Sequence, residues 1–156
     1  MSIVVTELPD IGVTVLSRWI FNCYVVHDGG AGRPLVVDPG LPSAPRAALD
    51  LLGGRVDRVV VAATHGHADH VGGLTVLGGG TAELSLPVRI KDYLDDETPR
   101  SPGWSEVAKI RPVLREQPRS VGAVLEIART GRHVGYDGRG ARFPELPAHW
   151  LSDGDV

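Results

Sequence analysis

The sequence predicts a layered α/β (α+β) fold, and three observations carry that reading. Residues 3–37 consist largely of β-branched and aromatic runs separated by turn signals, the composition of a strand meander. A short amphipathic stripe with start and stop signals follows at 43–54, which reads as a helix laid on a sheet. The unbroken apolar run Val59 to Ala63 then ends in the stretch "THGHADHVGG", as a strand covered on both faces ends where chemistry is placed.

"IVVTE", "IGVTVLS" and "WIFNCYVV" give the opening strands, and the glycine-rich "HDGGAG" turns the last of them back into "PLVVD". After "PGLPS", Ser43 stands where an N-cap belongs and Pro45 falls in the first turn. Ala44, Ala47, Ala48, Leu51 and Leu52 form one stripe, and Gly53-Gly54 stops it. "RVDRVVVAA" is the next strand, "GGLTVL" opens a helix, and "LPVRI" reads as a further strand. "KDYLDDETPRSPGW" is expected to be a polar loop whose Asp92, Asp95, Asp96 and Glu97 form a solvated face, since no glycine-centred calcium-loop spacing accompanies them. Two more helices are expected, Ser105 to Arg111 and Ser120 to Thr130, the latter with Val121, Val124, Leu125 and Ala128 inward and Gly131 closing it. From "GRHVGYDGRG" onward the periodicity disappears.

Composition narrows the function. A length of 156 residues, 42% hydrophobic and 22% charged, fits a single domain over 1–156 with its own core. Sixteen basic against nineteen acidic side chains leave a net charge of -3, which gives no general attraction to nucleic acid or anionic lipid. A small-molecule substrate is the expected partner. No apolar run approaches the ~20 residues of a membrane span, and no signal-like leader is visible, so the expected location is cytoplasmic. The lone Cys23 sits in a strand-like run and reads as a small buried hydrophobe. His27, at a hairpin turn, reads as structural.

The segment from His65 to His70 holds three of the six histidines and an aspartate. Side chains alternate along an extended chain, so His65 and His67 can point to one side and bind one ion, with Gly66 removing a clash between them. Asp69 and His70 suit a second ion if the chain turns there, which the coming helix start provides. Unligated, four such groups at the mouth of a core would lack partners. Gly72-Gly73 lets the backbone pass close to another element. A nucleotide-binding reading fails because neither G-x-G-x-x-G nor G-x-x-x-x-G-K-[ST] spacing occurs.

"THGHADHVGG" resembles the H-x-H-x-D-H signature of the metallo-β-lactamase-fold hydrolases. "NCYVV" followed by "LVVDPG" resembles the opening hairpin and aspartate turn of the same superfamily, and the likeness runs over about residues 3–80. The resemblance implies a metallo-β-lactamase-like αββα sandwich, of which this chain holds the N-terminal half plus an insertion, close to the glyoxalase II-like branch. It implies that His65 and His67 bind a first zinc ion and Asp69 and His70 a second, with iron or manganese as alternatives. Asp69 would also orient the reacting water, and Asp38 would support the ligands from behind, although a simple turn-forming aspartate reads equally well. The implied activity is hydrolysis, with a metal-bound hydroxide attacking an ester, thioester or lactone-type bond.

The family's later motifs, a third histidine in an H-T-P-G-H-like stretch and a bridging aspartate, have no clear counterpart. His133 and Asp155 are weak substitutes, and His149 reads as a loop residue. The expectation is a chain that stops short of its own site, with a sheet face left apolar and suited to association between copies. The competing reading is a non-catalytic metal-binding fragment.

Overall fold

The computed structural model describes residues 2–54, 59–77, 82–95, 111–112, 115–117, 120–131 and 148–155. Among the described residues, seven strands form one mixed sheet and lie in space in the order in which they occur in the chain. β1 (Val4–Leu8), β2 (Val13–Arg18), β3 (Phe21–Val26) and β4 (Leu35–Val37) pair antiparallel; β5 (Val60–Ala62), β6 (Glu83–Pro87) and β7 (Ala148–Leu151) continue the sheet in parallel. The antiparallel part follows from tight turns. The parallel part needs crossovers, and helices supply them: α1 (Ser43–Leu51) between β4 and β5, then α2 (Ala68–Val71) and α3 (Leu74–Leu77) between β5 and β6. α4 (Val88–Asp95) and α5 (Val121–Gly131) lie between β6 and β7.

Alternation places Leu16, Cys23, Val25, Val36, Val61 and Leu84 on one face, all buried, under Ala44, Ala48, Val71, Leu74, Leu77 and Ile90. Each such aliphatic side chain contributes about 1.5–3 kcal/mol of transfer free energy. The opposite face carries a row in register across five strands, Val15, Tyr24, Val37, Ala62 and Ser85, half-buried except for Tyr24, which is 37% exposed. One helical layer on one sheet is half of the expected sandwich. The expectation that β5 is covered on both faces holds on the helical side only, because Val60 and Ala62 are half-buried among the described residues.

Several local expectations are corrected. Trp19 and Ile20 do not belong to a strand. They form a two-residue turn closed by the Arg18 and Phe21 pair, with Trp19 at φ 60. Ser43 is the first helical residue of α1, not its N-cap; Pro42 holds that place, and Ser43 instead accepts from Arg18 at 2.8 Å and donates its backbone N–H to Glu126 at 2.6 Å. The stop at Gly53-Gly54 is as expected, with both glycines left-handed and Gly54 N–H on the Leu49 carbonyl at 2.7 Å. "LPVRI" splits, since β6 ends at Pro87 and Val88 begins α4, so Lys91 to Asp95 are helical and not loop. Most of the helix expected from Ser105, and the acidic positions Asp96 and Glu97, lie outside the described residues.

α5 forms where expected but turns the other way. Val121 and Leu125 are 45% and 53% exposed, while Ala123 and Thr130 are buried and Ile127 packs on the core. The cause is the close approach of α2, where a methyl on Gly72 would lie 2.9 Å from the Thr130 Cβ. Only small residues fit that contact. No helix among the described residues is long and apolar enough to cross a membrane.

Candidate metal centre

The C-terminal ends of β4 and β5 and the start of antiparallel β3 share one edge of the sheet, the place where open α/β sheets present ligand sites. β4 delivers Asp38 there and β5 delivers Thr64 and His65. Asp38 has φ 53, a left-handed conformation that aspartate tolerates better than most residues. The turn it starts is pinned from below: Gly40 N–H donates to the His70 carbonyl at 3.0 Å. A methyl on Gly40 would meet the Asp69 carbonyl oxygen at 2.7 Å, and one on Gly73 would collide with the Pro39 carbonyl. The Gly72-Gly73 close approach expected from the sequence is therefore made to the Asp38–Gly40 turn.

Asp38 is buried at 5% exposure and its carboxylate is fully engaged. Oδ1 accepts the Thr64 backbone N–H at 2.7 Å and its hydroxyl at 3.0 Å, and Oδ2 stands 3.0 Å from His70 Nδ1. A carboxylate cannot donate, so the proton of that last contact is on His70 Nδ1; the other ring nitrogen, Nε2, lies 3.5 Å from Asp69 Oδ2. The Thr64 hydroxyl spends its proton on Asp38 and can accept from His65 Nδ1 at 3.1 Å. That leaves the His65 Nε2 lone pair facing His67 Nδ1 at 3.1 Å. Burial, then the charges of His70 and His67, hold the His65 pKa below the ordinary imidazole value despite Asp69 and Asp38. Neutral imidazole is the form a metal requires.

Two ligands at about 2.0–2.1 Å from a tetrahedral ion stand roughly 3.3 Å apart, close to the His65 and His67 separation. Ring centroids of His65 and His67 are 4.6 Å apart, and those of His65 and His70 3.8 Å. The four groups thus converge in pairs, His65 with His67 and Asp69 with His70. Among the described residues, no three His, Cys, Asp or Glu side chains are already spaced to hold one ion. His133 lies outside the described residues. His149, expected in a loop, belongs to β7 opposite Ser85. The Asp155 carboxylate accepts the Ser152 backbone N–H at 2.6 Å within the C-terminal turn. His27 has the expected structural role, its Nε2 lying 2.8 Å from the buried Thr14 hydroxyl.

Residues 18–82 match the family model of the metallo-beta-lactamase superfamily. That segment is similar to the metallo-beta-lactamase superfamily domain. The metallo-beta-lactamase GOB-18 from Elizabethkingia meningoseptica aligns over 92% of this chain and 43% of its own, at 14% identity and a TM-score of 0.53, a likeness of fold. A metallo-beta-lactamase motif mutant from Cronobacter sakazakii aligns over 60% of this chain and 38% of its own, with 22% identity and a TM-score of 0.47. The Rm3 metallo-beta-lactamase aligns over 55% and 33%, with 26% identity and a TM-score of 0.44. The chain spans less than half the length of each of these metallo-beta-lactamases. No curated protein sequence matched.

Sequence reasoning missed Thr64, the hydroxyl that joins Asp38 to His65; its position directly before the first histidine was the available signal. It also missed a groove of about 130 Å³ lined by Asp38, Asp69 and His70 together with Ile20, Phe21, Asn22 and Tyr24. Strand β3 supplies Phe21, Asn22 and Tyr24, and no motif marks them.

Proposed function

We propose that this chain carries the metal-binding part of a zinc-dependent hydrolase acting on a small ester, thioester or lactone. The observation that carries the reading is the paired convergence of His65 with His67 and of Asp69 with His70, braced by one buried carboxylate, Asp38. His65 and His67 would hold a first ion through Nε2 and Nδ1, and Asp69 and His70 a second. When bound, zinc supplies Lewis-acid polarisation and brings the pKa of its water to about 7. Asp38 keeps both imidazole systems in ligating tautomers, directly for His70 and through Thr64 for His65. Asp69, which lines the groove, would orient the attacking water and take its proton. Iron or manganese would suit the same donors. The single reduced, buried Cys23 supports a cytoplasmic setting. The 156 residues would belong to one domain, and the row Val15, Tyr24, Val37 and Ala62 would let copies associate, which sedimentation of the purified chain would show.

The second reading, a metal-binding fragment without catalysis, is favoured by the lack of a three-donor set among the described residues. Metal content after dialysis, measured by mass spectrometry and by chelator competition, separates the two. Two tightly held ions per chain, reduced to one or none in H65A/H67A and in D69A, support the hydrolase; one or none in the parent supports the fragment.

A further inference from the structure

We infer that Asn22 is the substrate-carbonyl donor of this site, and that the substrate carries an apolar group next to that carbonyl. The inference rests on the hydrolase reading above and adds a residue and a substrate feature to it.

Asn22 is the second residue of β3 and pairs across the hairpin with Ser17. The Ser17 hydroxyl donates to Asn22 Oδ1 at 2.7 Å, which fixes the plane of the carboxamide and commits its oxygen. The Nδ2 hydrogens make no hydrogen bond among the described residues, yet Asn22 lines the same groove as Asp38, Asp69 and His70. Donors are scarce in that groove: its two aspartates only accept, and the Nδ1 proton of His70 is already given to Asp38, which leaves the Asn22 amide and the Tyr24 hydroxyl. A carbonyl oxygen entering the groove needs a donor, and Asn22 supplies it from a rigid strand, with no reorganisation needed when negative charge develops on that oxygen. The flanking side chains set the remaining chemistry. Ile20 is 65% exposed, and Phe21 and Tyr24 also line the groove, so the part of the substrate beside the carbonyl meets hydrocarbon and aromatic ring.

Phenylacetamide, a neutral and uncleaved carbonyl with an aromatic group, tests this on the zinc-treated and the metal-free chain. The Asn22 side-chain amide resonances should follow its addition at millimolar concentration. Affinity should fall about fivefold in N22A, the worth of one neutral hydrogen bond, and at least as far in N22D, which keeps the shape and loses the donor. N22Q should restore part of it. An Asn22 amide pair that does not move, or an N22A chain that binds like the parent, overturns the inference. Zinc content read on the same samples reports separately on the metal reading: a chain without zinc whose Asn22 signal still follows phenylacetamide keeps this inference and loses that one.

Discussion

Asp38 Oδ2 lies 3.0 Å from His70 Nδ1 while Asp38 Oδ1 accepts the Thr64 backbone N–H at 2.7 Å. One carboxylate thereby fixes the end of β5 and the tautomer of a proposed ligand thirty-two positions away in sequence. D38N keeps a residue that tolerates φ 53 but removes the charge that favours the Nδ1 proton. Zinc affinity should drop by about 10–100-fold, as for other residues that orient metal-bound histidines, with the far-ultraviolet spectrum unchanged. Chelator competition measures it, and an unaltered affinity would refute the bracing role.

Gly73→Ala should destabilise the chain by about 1–3 kcal/mol, the usual cost of forcing volume into a packed site. The added methyl collides with backbone at Pro39 and lies 2.7 Å from the Pro45 ring, and neither gives easily. Because Pro39 follows Asp38, zinc retention should fall with stability. Urea denaturation and metal content of the same variant check both effects.

Glu126 joins three elements: it pairs with Arg18 of β2, accepts the Ser43 N–H at the start of α1, and sits on α5. The two charged side chains are 18% and 15% exposed, and Arg18 Nε is buried with no partner among the described residues. E126A leaves that guanidinium uncompensated and should cost about 3 kcal/mol. R18M/E126A should cost less than E126A alone. A double-mutant cycle in urea decides, and additive losses would show the pair to be uncoupled.

Burial first and the Asp38 charge second push the Cys23 thiol from 9.0 up to about 12. The folded state therefore prefers the protonated form, and its contribution to stability is complete below pH 9 and is lost as pH climbs towards 12. Between pH 9 and pH 11 the loss is about 2 kcal/mol. C23A should show a correspondingly flatter decline, read from urea midpoints at each pH. At pH 8 the native thiol should resist a disulfide reagent until denaturant is added.

The strands and α1 were legible because alternation and the 3.6-residue stripe are local signals, and because "THGHADH" places its donors within one turn of chain. The inward face of α5 was not legible. Counting large apolar residues points to Val121 and Leu125, whereas the buried positions are Ala123 and Thr130, and at Thr130 the Gly72 backbone approaches closely. β7 escaped because "AHWL" is a short edge strand whose partner, β6, lies far away in sequence. The tautomer chain through Thr64 was invisible for a related reason: it depends on a carboxylate brought in by a different strand, and spacing along the chain carries no record of that.

The strand order has a consequence for how the molecule comes into being. Each strand from β2 to β6 lays itself against its immediate predecessor, so the growing sheet finds its template edge already formed at each of these steps. The sheet can grow like a zipper from the first hairpin, with short loops to close at each early step, and the histidine segment emerges onto a platform that already holds Asp38 in place.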